Sequence, residues 1–317
     1  MSKGSQLILT SVAITTTAKN VDCSIREWCS YHLQVVDRIF LWLDDPAEVH
    51  SPLIPSDRRL EVQVGTQSEV GSVHGNLMVR QEENANRALD LCCKQGIEWI
   101  VHLDIDEILY PADRETLARV LIEPIDQVII MNHEVCAQWF AESPFRQCNY
   151  FKLNGKFPFN FYGNGKAAVR CRDGVFARGA HRFLGNVSRP IISRELVLLH
   201  YACATFDRWL KKYALLGDFP DFWWDDPRHP IGLPFHLKSR DVCKQCLVNG
   251  NFSPAMDFWK QNVLSATEIS RLVGEDKVGW YQPIPELVPE QTARTPSPSA
   301  QNGGGLPGAD TVPPHAP

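Results

Sequence analysis

Three carboxylates stand close together in Trp99-Ile100-Val101-His102-Leu103-Asp104-Ile105-Asp106-Glu107-Ile108-Leu109-Tyr110-Pro111. A mostly apolar run leads into them and a proline closes it. That is the pattern of a buried strand in a parallel sheet, and ligands collect outside the carboxyl ends of such strands. Alternate residues of a strand point the same way, so Asp104 and Asp106 can turn their carboxylates to one side. Two acids so placed repel each other unless a cation sits between them. Hard divalent ions take such oxygens and share them with a substrate's phosphates. The spacing therefore points to a metal-diphosphate site at Asp104 and Asp106.

Two other readings compete. Acids in a short Asp-x-Asp can be solvated loop residues or helix caps, but the apolar strand ahead of them favours a ligand role. A phosphohydrolase would use the first Asp as nucleophile. Such enzymes place it on their first strand, with Thr or Val two residues later. Here the motif comes late, and Glu107-Ile108 follow.

The remaining totals set limits on function. The chain has 317 residues, 44% hydrophobic and 22% charged, which suits a soluble α/β protein with a sizeable core. A net charge of −5 and no dense basic stretch argue against a nucleic-acid surface. No run of eighteen apolar residues is present, so no transmembrane segment is expected. The N-terminal Leu7–Ile14 run carries little basic charge ahead of it and reads as a strand rather than a leader. Ten scattered cysteines, with Cys243-x-x-Cys246 as the sole ligand-like spacing, read as free thiols and make a cytoplasmic location the expectation.

The elements that must position the acids follow an α/β rhythm. A strand over 7–14 is followed by a polar loop, 15–20. A helix then begins near Ile25, with Ile25, Trp28, Cys29, His32 and Leu33 on one buried face. Trp28 and His32 read as packing residues. A second strand, 38–43, ends in Asp44-Asp45-Pro46, and acids there suit the opening of a nucleotide-binding α/β unit. A strand over 60–64, a helix over about 77–95, the central strand 98–104, a helix to about 122 and a strand over 127–132 continue the pattern. Helices return the chain to a mostly parallel sheet. Beyond 132 the chain is aromatic-rich and irregular. Short strands are expected at 166–171 and 196–201, then a helix carrying Lys211 and Lys212, and a Trp- and Pro-rich loop over 217–240. Residues 1–282 read as one domain, and 283–317, rich in Pro, Ser and Gly, as a disordered tail.

With these landmarks in order, the chain resembles the glycosyltransferases of the GT-A fold, nearest to the family-2-like and family-92-like branches. The matching residues are Lys19-Asn20, Glu27-Trp28 with His32, Asp44, Trp99 through Glu107, Gly165-Lys166, Gly179-Ala180-His181, His200-Tyr201 and Lys212, within about residues 7–215. Val21 departs from the pattern, which has Glu after Lys-Asn. The resemblance implies a Rossmann-like mostly parallel sheet flanked by helices. It also implies metal-dependent transfer of a sugar from a nucleotide-diphosphate donor, a UDP-sugar, to a hydroxyl acceptor with inversion. A GT-A-like domain that only binds glycans or partners is the alternative.

Under that resemblance Asp106 is a direct metal ligand, Asp104 a ligand or ribose contact, and His200 a third ligand from a later strand. Mn²⁺ tolerates such a mixed oxygen-imidazole shell better than Mg²⁺. Lys19, Asn20, Asp44, Lys166 and Lys212 fall on the donor, the last two as point charges for the diphosphate. Arg80 could serve the donor, but a solvent-facing helix residue is the favoured reading. Inverting transfer needs a general base, for which Asp173, His181 and Glu134 are the candidates. Aromatic residues at 219–224 are where acceptor contacts are expected.

Overall fold

The structure is a computed structural model that describes residues 10–122 and 124–285. In chain order its strands are β1 Val12–Ala18, β2 Arg38–Leu43, β3 Leu60–Val64, β4 Trp99–His102, β5 Glu107–Tyr110, β6 Gln127–Ile130 and β7 Asn132–Val135. Then come β8 Tyr150–Lys152, β9 Lys166–Arg170, β10 Val175–Arg178, β11 Arg182–Gly185, β12 Ile191–Ile192, β13 Val197–His200 and β14 Val278–Trp280. The helices are α1 Ser24–His32, α2 Val73–Gln95, α3 Arg114–Val120, α4 Pro144–Gln147, α5 Phe206–Leu216, α6 Pro234–Asn249, α7 Ser253–Lys260 and α8 Ala266–Gly274.

A seven-stranded sheet runs in the order β12-β6-β9-β4-β1-β2-β3, all parallel except β9, which lies antiparallel between β6 and β4. Successive residues serve opposite faces. Val12, Ile14, Trp99 and Val101 join the cluster that receives Ile25, Trp28 and Cys29 of α1. Ala13, Phe40, Trp42 and Ile100 meet Ala85, Ala88, Leu89 and Cys92 of α2 on the other side. Burial on both faces is why these strands read as continuous apolar runs. The fold is thus mixed α/β, with helices on a mostly parallel sheet.

Beside it lies a five-stranded sheet, β14-β8-β7-β13-β5. Two strands change sheets on the way. The expected strand over 127–132 is in fact β6 and β7, one in each sheet, parted at Met131. The expected central strand over 98–104 stops at His102, and the chain re-enters as β5 of the second sheet. Asp104 and Asp106 occupy that crossing between sheets.

Other expectations need adjusting. The first strand is Val12–Ala18, and 7–9 lie outside the described residues. Thr15–Thr17, read as loop, are buried in that strand. Two of them are tolerated because Thr15 Oγ1 accepts from Trp42 Nε1 (3.0 Å) and Thr17 Oγ1 from Asn84 Nδ2 (3.1 Å), while the Thr16 hydroxyl is buried with no partner among the described residues. Helix α2 starts four residues earlier than its apolar pattern suggests, where the Ser72 hydroxyl accepts from Gly75 N–H as an N-cap. The folded body reaches Pro285, with Ile284 buried, and most of the expected tail, 286–317, lies outside the described residues.

Helix α1 is tied to β5 by three side chains. Trp28 Nε1 donates to the Glu107 carbonyl (2.7 Å) and Tyr31 Oη to the Leu109 carbonyl (3.1 Å). His32 Nδ1 donates to the Trp28 carbonyl (2.9 Å), while its Nε2 accepts from the Leu109 N–H (3.1 Å). Trp28 and His32 are packing residues, as expected, and they also hold the strand that leaves the acidic turn.

That arrangement needs His32 neutral, because a proton on Nε2 would face the Leu109 donor. Burial pushes its pKa from 6.5 down to about 3. The unfolded chain therefore takes up a proton below pH 6.5 that the folded chain refuses. Stability from this group is intact above pH 6.5, falls by about 1.4 kcal/mol per pH unit below it, and levels off near pH 3. Urea denaturation of His32→Gln between pH 4 and 6.5 should show a slope shallower by about one proton than the parent chain. Equal slopes would refute the assignment.

Candidate active site

The acidic turn is built by its own third acid. Glu107, fully buried at the start of β5, accepts from Asp104 N–H (2.7 Å) through Oε2, and Glu107 N–H returns a bond to the Asp104 carbonyl (3.0 Å). Glu107 closes the turn and does not face a ligand. Burial raises its carboxyl well above the usual range, against the pull of Lys166.

Lys166 enters from β9 and is fully buried. Its ammonium lies 2.7 Å from Asp104 Oδ2 and 3.6 Å from Glu107 Oε2. Burial opposes the charge, but Asp104 and Glu107 outweigh it and raise the lysine's pKa. The same ammonium holds Asp104 below the usual carboxylate range despite its burial. Gly165 makes the approach possible. Its φ is +66°, and a Cβ there would stand 2.3 Å from the Ile130 carbonyl oxygen, so no other residue fits without moving the strand.

Asp106 is met from elsewhere. His200, at the end of β13, puts Nε2 3.8 Å from Asp106 Oδ1, and Lys212 of α5 puts Nζ 3.5 Å from Oδ2. Tyr201 N–H donates to the Asp106 carbonyl (2.7 Å), which locks the two motifs together. Burial lowers the His200 pKa, so its imidazole is neutral at pH 7 and has a lone pair to give.

This geometry can be tested against a divalent cation. At metal–ligand distances of about 2.1 Å, Asp106 and His200 are close enough to share one ion. Asp104 is already engaged on both oxygens, Oδ1 accepting from Gln81 Nε2 (2.8 Å) and Oδ2 from Lys166. Among the described residues no group of three or more His, Cys, Asp or Glu side chains could hold a metal ion. A cation shared by Asp106 and His200 therefore fits only if a bound diphosphate or water completes its shell.

Two pockets share Lys19 in their walls, and the acidic turn lines the larger. A polar one of about 320 Å³ is lined by Lys19, Asp44, Gln67, Glu69, Asn76 and Arg80, among others. Asp44 is buried between Arg80 Nη1 (2.6 Å) and Lys19 Nζ (3.2 Å). Arg80 is thus a buried partner of Asp44 rather than the solvent-facing residue its helix position suggests. Asn20, at φ 55°, sits in the same loop, where Glu48 accepts from the N–H groups of Asn20 (3.1 Å) and Val21 (2.9 Å). The second pocket, about 1210 Å³, reaches from Lys19 and Asn20 past Asp104, Asp106 and His200 to Trp223, Trp224 and His236.

The base candidates separate. Asp173 is exposed and follows β9 at its far end, where Arg170 pairs with Trp99 and Cys171 N–H bonds to the Glu98 carbonyl. It lies at the edge of the sheet opposite the acidic turn and is excluded. Glu134 is paired with Lys152 (2.8 Å) and accepts from Asn160 and Phe161 N–H, which fixes the loop carrying Phe161 and Tyr162. His181 remains. It lines the larger pocket, with Nδ1 2.9 Å from the Gly165 carbonyl and its ring against Tyr162. Burial lowers its pKa to about 3, so at neutral pH it carries an unprotonated Nε2.

Some residues of the site escaped the sequence reading. Gln81, buried on the same stripe of α2 as Ala85 and Ala88, orients Asp104. Tyr162 packs between His181 and His200 and lies under Lys166 Nζ. A polar residue on an apolar stripe is the one sequence signal for Gln81, and nothing of the kind marks Tyr162.

No protein-family model matches the chain. Two Arabidopsis thaliana proteins named glycosyltransferase-like are similar to it. One is 31% identical over 41% of this chain and 35% of its own length, the other 30% identical over 41% and 30%. The chain thus spans about a third of the length of the curated relatives it matches. Among solved structures, HddC from Yersinia pseudotuberculosis aligns with TM-score 0.32 and 13% identity, over 63% of this chain and 96% of that one. The 4-diphosphocytidyl-2C-methyl-D-erythritol synthase of Anaerococcus prevotii aligns with TM-score 0.28 and 12% identity, over 51% and 70%.

Removing the Lys166 ammonium strands two acids. Lys166→Met should cost about 3 kcal/mol in urea denaturation, the low end for breaking a buried pair because Asp104 is a quarter exposed. Adding Glu107→Gln should recover part of that loss. No recovery would mean that Glu107 is already neutral in the folded chain.

Proposed function

We propose that the chain is a glycosyltransferase of GT-A type, moving a sugar from a nucleotide-diphosphate donor, a UDP-sugar, to a hydroxyl acceptor with inversion. The observation that carries this reading is the convergence of Asp106, His200 and Lys212 from three separate elements on one open cavity, next to a polar pocket headed by Asp44. The glycosyltransferase-like names of the two plant relatives support it.

The polar pocket suits the nucleoside, with Asp44, already oriented by Arg80 and Lys19, at the ribose or base end. Asp104 is a quarter exposed and keeps lone pairs for a ribose hydroxyl. Lys212, a third exposed, offers its charge to the diphosphate. Lys166 is fully buried and acts through Asp104, which it keeps ionised. Asp106 and His200 would hold Mn²⁺ or Mg²⁺, which offsets the negative charge growing on the departing diphosphate. In this reading His181 would take the acceptor proton; Nδ1 contacts a carbonyl, and Nε2 keeps its lone pair.

The test is a donor-hydrolysis and transfer screen over UDP- and GDP-sugars, with and without Mn²⁺. Asp106→Ala and His200→Ala should each lower turnover by about a hundredfold or more with the fold retained, and Asp173→Asn should leave it unchanged. Full turnover in Asp106→Ala refutes the reading. Calorimetry of the parent chain with nucleotide-sugars and Mn²⁺ that shows no nucleotide-dependent heat would favour a glycan- or partner-binding domain instead.

A further inference from the structure

The aromatic end of the larger cavity holds buried polar atoms that nothing in the chain satisfies. His74 of α2 and His236 of α6 have ring centroids 5.3 Å apart, walled by Phe219 and Trp223. Both histidines are about 95% buried and both line the cavity. His74 Nδ1 and His236 Nε2 have no hydrogen-bond partner.

The other nitrogen of His236 is already engaged. Trp209 Nε1 can only donate, and it donates to Ser239 Oγ (2.9 Å). Tyr213 Oη is hydrogen-bonded to His236 Nδ1 (2.8 Å). Whichever of these two atoms carries the shared proton, Nε2 is left without a partner among the described residues, as a donor in one tautomer and an acceptor in the other. A buried polar group in that state is costly unless a ligand supplies its partner. Burial keeps both rings neutral at pH 7, with pKa values near 4 for His74 and 3 for His236, so neither ring brings a charge to the ligand.

The cavity, about 1210 Å³, exceeds the roughly 300–1,000 Å³ of a single small-molecule site, which leaves room for a second ligand beside a donor. A neutral ring with a hydroxyl-bearing edge, able to donate or to accept, and a C–H face matches the unpartnered Nε2 and the aromatic walls. We propose that His236, His74 and Trp223 form an acceptor subsite that takes a hexopyranose ring, with a sugar hydroxyl on His236 Nε2 and the ring face against Trp223. This deepens, and rests on, the transferase reading above.

Ligand-observed NMR titrations of the full chain with methyl gluco-, galacto- and mannopyranosides test it, with cyclohexanol as the apolar control. At least one glycoside should bind saturably, and His236→Phe should weaken it by about tenfold, the share of one hydrogen bond. Trp223→Leu, at a half-exposed position, should weaken it too, and serves if His236→Phe does not fold. Saturable binding unchanged in both variants, no binding of any glycoside, or cyclohexanol bound as well as the sugars would each overturn the subsite. UDP calorimetry on the parent and both variants separates the two ideas. Glycoside binding that depends on His236, without any UDP heat, supports the subsite and sinks the transferase reading.

Discussion

One buried ammonium sets the conditions for the rest of the site. Lys166 has no access to water, so its charge must be met by protein, and it is met by Asp104 and Glu107. An ion pair in such surroundings stabilises little by itself but penalises every arrangement in which one partner is missing. The acidic turn, the glycine that admits β9 and the alignment of both sheets are therefore constrained together. Asp104 is held ionised and aimed by this contact, whatever occupies the cavity.

The crossing between sheets supplies the geometry. At the end of β4 the chain leaves one sheet, and at β5 it joins another whose strand β13 brings His200 opposite Glu107. The same change from β6 to β7 places Glu134 beside His200 in register. Backbone groups at such a junction need partners outside either ladder, and Glu107 and Tyr201 provide them. A site at this seam can draw side chains from both layers without either sheet bending.

Much of this was legible in the sequence, for identifiable reasons. Asp104 and Asp106 follow an apolar run, and His200 ends another, so both the burial pattern and the break in it were visible. The mostly parallel sheet followed from the alternation of strands and helices. Asp173 misled because nothing in Lys166–Arg170 shows that β9 runs against its neighbours, and direction alone decides which end of the sheet its sequel reaches. Arg80 misled because helical periodicity reports the face of a helix but not a carboxylate, Asp44, waiting beyond it. The split of 127–132 was invisible, since a strand that changes sheets keeps its apolar character. Helices α7 and α8 lay in a stretch for which the sequence reading assigned no elements.

The link between α1 and the second sheet has a consequence for how molecules of this protein meet. β5 is an outer strand, with β13 on one side only. An outer strand with idle amides invites another chain to add to it. Here the carbonyls of Glu107 and Leu109 and the amide of Leu109 are already engaged by Trp28, Tyr31 and His32. Crowded copies of the protein thus find no vacant ladder along that rim, and the helix that steadies the acidic turn also guards the molecule against self-association there.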